Sequence, residues 1–183
     1  MQKDRREVIK RLILLLPVVL ITVVVFLLRD RIQDFGAYGY PGIFLLSIIA
    51  NSTVIIPVPG VVLTSTMATV FNPIGVAIAA GLGAALGEMT GYMAGYSGQI
   101  VVEGRPRYVK LVEWMKKYGG WTILFLSFVP NPAFDMAGIV SGALKMPIKK
   151  FLAFCAIGKI LKMLLFAYAG STIFYWLENL FKH

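Results

Sequence analysis

The sequence is poor in the residues on which most soluble enzymes and secreted domains depend. It has one cysteine, Cys155, and one histidine, His183, among 183 residues. A disulfide framework and a thiolate metal cluster are therefore excluded, and histidine-based catalysis and zinc hydrolysis lack their residues. Charged residues form only 15% of the chain, whereas ordinary soluble domains contain about 25%. We expect no cofactor and no bound metal.

The chain is instead rich in apolar residues, which occur in long runs. Hydrophobic residues form 58% of the sequence and the mean hydropathy is +0.77, which is more than a soluble domain of this size can bury. Basic residues outnumber acidic ones by 18 to 9, and most of them lie at the edges of the apolar runs. This placement predicts a polytopic membrane protein with basic cytoplasmic loops, and it argues against a nucleic-acid partner.

The first apolar run predicts a membrane anchor. Residues 1–11 are polar and basic, and Leu12–Leu28 is almost uninterrupted. The run is followed by Arg29-Asp30-Arg31 instead of a small-x-small cleavage site. We therefore interpret residues 1–34 as a basic segment followed by an uncleaved transmembrane helix.

The second apolar run, Ile43–Phe71, contains prolines in its middle at Pro57 and Pro59, followed by Gly60. Proline removes a backbone donor and disfavours helix in the preceding residue, so two half-helices joined by a turn fit this run well. Non-helical backbone at membrane depth is stable where it is buried in protein or lines a wet cavity. We expect a re-entrant hairpin with its turn at Pro57–Gly60, and one kinked transmembrane helix is the alternative.

A second broken segment, Trp121–Leu144, is interrupted in the same way by Pro130, Asn131 and Pro132. Each broken segment precedes a long apolar helix that opens on a proline. The first such helix is expected from Pro73, with Asn72 as its N-cap, to about Val102. The second is expected from Pro147 to about Leu177.

This repetition predicts an all-α membrane protein built on an inverted repeat, in which each copy is a re-entrant hairpin plus a long transmembrane helix. Repeat one covers 41–102 and repeat two covers 119–177, within a membrane domain at 35–178. Glycine recurs every four residues along the first long helix, and we interpret this stripe as helix packing. Its members are Gly83, Gly87, Gly91 and Gly95.

Residues 103–118, between the repeats, predict a basic amphipathic helix on the membrane surface, with Leu111 and Met115 on its apolar face and Trp114 at the interface. If the N-terminus is cytoplasmic and both broken segments return to their side of entry, thirteen Lys and Arg lie inside and three outside. This bias predicts hairpins that enter from opposite faces of the plasma membrane.

Ionisable residues inside the apolar runs are candidates for function, because hydrocarbon penalises charge. Glu88 and Lys162 each lie 15 residues after a helix-opening proline, and Lys159 lies one turn before Lys162. We expect Glu88 and Lys162 to face one another with Lys159 nearby, either as a transport site or as a structural salt bridge. Asp135 would either stabilise a helix start or act as a protonatable group at the second hairpin tip.

Several ordered motifs resemble those of a known family. They are Gly87–Gly95 (GEMTGYMAG), Phe128-Val129-Pro130, and Gly138–Pro147 leading into Lys149-Lys150-Phe151. With the two hairpins, this set resembles the DedA/VTT family, also called the SNARE-associated Golgi protein family, over roughly residues 35–175. The resemblance implies two opposed re-entrant hairpins and lipid translocation, of polyprenyl-phosphate carriers in bacterial members and of phospholipids in eukaryotic relatives.

The chain resembles a divergent branch of that family. Its first hairpin, 43–71, carries no charge, and Ser127 and Ala133 stand where the resemblance leads one to expect arginines.

The leading functional hypothesis is a lipid transporter or scramblase that is not an enzyme. Half-helix N-termini at Gly60 and Ala133, together with Lys159 and Lys162, would attract the phosphate of a phospholipid or polyprenyl phosphate. Membrane lipids are then the expected partners, and the sequence leaves open whether the chain forms a homo-oligomer. The alternative is a non-transporting membrane organiser that binds partner proteins, and a lipid-phosphate enzyme is disfavoured because no catalytic constellation is present.

Overall fold

The computed structural model describes residues 38–52, 60–98, 106–130 and 133–181, and the regular elements within these ranges are all helices. The predicted anchor at 12–28, together with Pro57, Pro59, Asn131 and Pro132, lies outside the described residues. The helices are α1 Gly39–Ser52, α2 Gly60–Met67, α3 Pro73–Gly87, α4 Met89–Tyr96, α5 Pro106–Tyr118, α6 Gly120–Phe128, α7 Ala133–Ala143 and α8 Ile148–Phe181.

Two helical stretches are long and apolar enough to cross a membrane. They are Pro73–Tyr96, which comprises α3 and α4, and Ile148–Thr172 within α8. Each buries one face in the protein and exposes large apolar side chains on another, as a helix between protein and lipid does. The exposed side chains include Ile74, Ile78, Leu82, Leu86 and Met93 on the first stretch, and Ile157, Leu161, Leu165 and Tyr168 on the second.

The two long stretches pack against each other at the centre, through α3 and α8. The first short helix of each half of the chain packs along the long helix of that half, α1 on α3 and α6 on α8. The second short helix packs on the long helix of the other half, α2 on α8 and α7 on α4.

Glycines allow these helices to approach closely. A Cβ at Gly83 would collide with the carbonyl oxygen of Phe44 in α1, and a Cβ at Gly87 would lie 2.6 Å from that of Ile48. Farther along the stretch, a Cβ at Gly95 would collide with the carbonyl oxygen of Ile139 in α7. The glycine stripe thus faces one helix from each half of the chain, and Gly91 lies beside Gly138 of α7.

The start of α3 confirms the predicted N-cap, because the Asn72 Oδ1 accepts hydrogen bonds from the backbone N–H groups of Ile74 (2.9 Å) and Gly75 (3.3 Å). The predicted extension of this helix to about Val102 is wrong. Helix α4 ends at Tyr96, and Gly98 takes a left-handed φ of 71°, a conformation that ends helices. Helix α8 follows Pro147 and continues to Phe181, beyond the predicted Leu177.

The second broken segment is interrupted before Pro130, as the sequence predicts. Helix α6 ends at Phe128, and Val129 is extended with φ −73° and ψ 128°, the conformation that a following proline favours. A single continuous helix through residues 121–144 is therefore excluded. The prediction that each pair of short helices doubles back as a re-entrant hairpin stays a prediction.

The predicted amphipathic segment forms α5, which begins at Pro106. Leu111 and Met115 are buried in a core that also contains Ile123 and Phe134. Part of the apolar face of α5 is therefore covered by protein, because α6 and α7 pack against it. Trp114 lies on the surface, with about half of its area exposed.

Candidate functional site

Charged side chains meet inside the helical core. Among the side chains that the structure describes, the buried charged ones are Glu88, Lys159 and Lys162, with 6%, 4% and 9% of their surfaces exposed. They form, together with Asn51, what we call the buried polar cluster. Ionisable groups in this position are costly unless they are paired, so each partner in the cluster has an energetic role.

Glu88 occupies the one-residue junction between α3 and α4. Its backbone stays near helical, with φ −65° and ψ −12°, and its N–H points to the carbonyl oxygens of Ala84 and Leu86. Gly87, immediately before it, lets α1 approach closely, because an added Cβ there would lie 2.8 Å from the Asn51 Cβ. The carboxylate and the Asn51 amide are brought together by this close packing.

Lys159 lies in the N-terminal half of α8 and is the centre of the cluster. Its Nζ donates to the Glu88 Oε1 at 2.6 Å and to the Asn51 Oδ1 at 3.1 Å. The same Nζ lies 4.6 Å from the centroid of the Phe134 ring, which adds a cation–π contact. The ammonium is thus bound by groups from the α3–α4 junction, α1 and α7.

The Asn51 side chain has a fixed orientation. Its Nδ2 donates to the Ser47 carbonyl oxygen at 2.9 Å, which leaves the Oδ1 directed to Lys159. A charged donor paired with a carboxylate forms a short and strong hydrogen bond, and the amide and the ring satisfy further sides of the ammonium. The site can therefore hold a positive charge in an apolar region.

Lys162 lies one turn after Lys159 on the same face of α8. Cys155, one turn before Lys159, is fully buried on that face. The sequence led us to expect Glu88 to face Lys162 with Lys159 nearby, and the ion pair in the structure joins Glu88 to Lys159. A pairing of Glu88 with Lys162 stays a prediction.

The other candidate residues lie at the ends of the short helices. Gly60 is the first residue of α2, Pro130 follows α6, and Asp135 lies in the first turn of α7, next to Phe134. The side chain of Asp135 is outside the described part of the chain. Helix α2 reaches the same long helix as the cluster, because the Thr64 hydroxyl donates to the Met163 Sδ at 3.3 Å.

Sequence reasoning missed Asn51 and Phe134. Asn51 and Ser52 are a polar interruption of the apolar run 43–71, which could have pointed to an interior partner. Phe134 gives no such signal, since an aromatic residue in an apolar segment is ordinary. Among the described residues, no group of three or more His, Cys, Asp or Glu could hold a metal ion.

Comparisons with known proteins place these residues in a family context. The sequence profile of the VTT domain matches residues 58–172, which include Glu88, Lys159 and Lys162. The chain is also 36% identical over 67 residues to the "Uncharacterized membrane protein YbfM" of Bacillus subtilis (strain 168). That match covers 37% of this chain and 41% of the length of the relative. No solved structure matches the chain.

Proposed function

This chain belongs to the VTT-domain, or DedA, family of membrane proteins, and from that premise we propose that it moves lipids between the two leaflets of its membrane. The observation that carries the proposal is the buried ion pair between Glu88 and Lys159, which joins the two halves of the chain. Buried charge of this kind is expensive and is by default a sign of a transport path.

The cluster offers the chemistry that a lipid phosphate needs. An ammonium group is a strong partner for a phosphate oxygen, and α8 carries two lysines one turn apart on its buried face. The Glu88 carboxylate holds the Lys159 ammonium in place. A phosphate that enters competes with this carboxylate for the ammonium, so binding and release exchange one ionic contact for another.

The packing of the short helices supports an inverted repeat with two re-entrant hairpins. Each half of the chain uses its first short helix against its own long helix and its second against the other one. Such an exchange is expected when two copies of one unit are related by a two-fold axis. The proposed path for the headgroup runs between the hairpins, while the tails stay against the exposed apolar stripes.

The test is lipid movement in liposomes that contain only the purified protein. Fluorescent phosphatidylglycerol and phosphatidylcholine are placed in both leaflets, and an external quencher reports how much of each label moves outward. We expect the unmodified protein to expose inner-leaflet label without any partner. Failure to move either lipid would support the membrane organiser instead.

Matched variants separate a transport role from a structural one. Lys159→Met combined with Glu88→Gln removes both charges and leaves side chains of similar volume. We expect this double variant to stay folded and to lose at least tenfold in lipid movement, about 1.4 kcal/mol in the barrier. Lys149→Gln, at an exposed position of α8, is the control and should transport normally. A double variant with the unmodified rate would make the pair purely structural.

A further inference from the structure

A surface groove lies between α5 and α6 and shares no residue with the buried polar cluster. It has a volume of about 330 Å³ and is lined by five residues: Trp114, Tyr118, Trp121, Thr122 and Phe125. The four aromatic side chains are between 49% and 67% exposed. So much aromatic surface in one concave place is a mark of an interaction site.

Hydrogen bonding and packing fix the shape of the groove. The Thr122 hydroxyl, which is buried, donates to the Trp114 carbonyl oxygen at 3.0 Å and so ties α6 to α5. Trp121 stacks edge-on against Phe154 of α8, with centroids 5.4 Å apart. Gly119, with a φ of 57°, makes the tight turn between the two helices. The walls are therefore set by the fold.

Two ammonium groups lie near the turn between the helices, beside the groove. The Lys117 Nζ lies 5.2 Å from the centroid of the Tyr118 ring. The Lys150 Nζ, on α8, lies 3.8 Å from the position of a Cβ built on Gly119. Helix α6 carries no charged residue, and α5 contains a single acid, Glu113. The turn beside the groove is therefore basic, whereas the α6 wall of the groove carries no charge.

We propose that this groove binds one anionic phospholipid of the surrounding membrane. Its phosphate lies between Lys117 and Lys150, and one acyl chain runs along Trp121 and Phe125. Tryptophan and tyrosine side chains favour the headgroup level of a bilayer, and lysines at that level attract anionic lipids. The charge at the turn selects an anionic headgroup over a zwitterionic one, and the lipid is held in the groove, not moved by it.

The natural tryptophans make the site directly observable. Two of the three tryptophans in the chain, Trp114 and Trp121, line the groove, and Trp176→Phe removes the third. This variant of the full chain is reconstituted with phosphatidylglycerol or phosphatidylcholine brominated near the headgroup end of the acyl chain. We expect phosphatidylglycerol to quench the fluorescence at an about 25-fold lower mole fraction, because each of the two lysines contributes about fivefold.

A charge-matched pair of double variants decides between a site and a general interfacial effect. Lys117→Gln with Lys150→Gln should abolish the preference for phosphatidylglycerol. Lys116→Gln with Lys149→Gln also removes two positive charges from exposed positions of the same two helices. This control should keep the preference for phosphatidylglycerol. Equal quenching by the two lipids, or an equal loss of preference in both double variants, would overturn the proposal.

Discussion

The ammonium of Lys159 is bound on three sides, by a carboxylate, an amide oxygen and an aromatic ring. Each contact offsets part of the free energy that is lost when a charge leaves water. The balance is asymmetric, since removal of one partner strands the other charge in an apolar region. Residue-scale changes in this cluster should therefore be non-additive.

The first prediction concerns that asymmetry. Glu88→Gln leaves Lys159 without its carboxylate and should lower the free energy of unfolding by about 3–5 kcal/mol. Glu88→Gln combined with Lys159→Met removes both charges and should cost clearly less. Thermal unfolding of the two variants in detergent measures the difference in stability. If the double variant is the less stable of the two, the ion pair does not set the stability of the cluster.

At the scale of the helical element, the long stretch formed by α3 and α4 has two faces with different roles. One face carries glycines that meet backbone atoms of α1 and α7, and another carries large apolar side chains at the surface. Glu88 lies between the two sets of glycines, at the junction where the stretch passes from α1 to α7. Close packing on both sides therefore positions the charged residue.

Substitution of glycine should have opposite effects in two helices. Gly95→Ala places a Cβ against the Ile139 carbonyl oxygen, so it should separate α4 from α7 and destabilise the protein by about 1–3 kcal/mol. Gly42→Ala in α1 meets nothing within 4 Å and should stabilise it by about 0.5–1 kcal/mol, because alanine favours helix. Thermal unfolding midpoints compare the two, and equal midpoints would contradict the packing role of Gly95.

The end of α7 contains a strained position. Lys145 has a φ of 51°, and its N–H donates to the Gly142 carbonyl oxygen at 2.9 Å while the Met146 N–H donates to that of Ser141 at 3.0 Å. Glycine takes this left-handed conformation without a Cβ penalty. Lys145→Gly should raise the free energy of unfolding by about 0.5–1 kcal/mol. Lys145→Ala, which removes the charge but keeps the Cβ, should give no such gain.

At the scale of the whole molecule, the two halves of the chain are held together because each packs one of its short helices on the long helix of the other. Helix α7 packs on α4 and α2 packs on α8, so neither half has a complete set of neighbours alone. The buried polar cluster lies across the same division, because Glu88 and Asn51 come from the first half and Lys159 and Phe134 from the second. We infer that a change in the packing of the halves would alter the ion pair.

The last prediction is the membrane topology, which rests on the bias of basic residues. In a Cys155→Ala background, a cysteine that replaces Lys110 on the exposed side of α5 should react only from the cytoplasm. A cysteine that replaces Asp30 should react from outside. Labelling of position 110 by an impermeant reagent added to intact cells would contradict two returning hairpins with a cytoplasmic N-terminus.

Local patterns in the sequence determined the helical membrane character, the Asn72 cap, the break before Pro130 and the presence of the amphipathic helix α5. Each of these depends on residues within a few positions of one another, so the sequence carries it directly. The end of α4 at Tyr96 was missed because Gly98 was not recognised as a helix terminator.

The ion pair between Glu88 and Lys159 was decided only by the tertiary structure. Lys159 and Lys162 lie one turn apart on one face of α8, about 4.5 Å along its axis, and no count along the chain distinguishes them. The position of the Lys159 ammonium depends on how closely Gly87 lets α1 approach and on where α7 places the Phe134 ring. The contacts of Lys159 with Glu88 and Asn51 join residues that are separated by 71 and 108 positions in the sequence. They therefore form only when the helices pack.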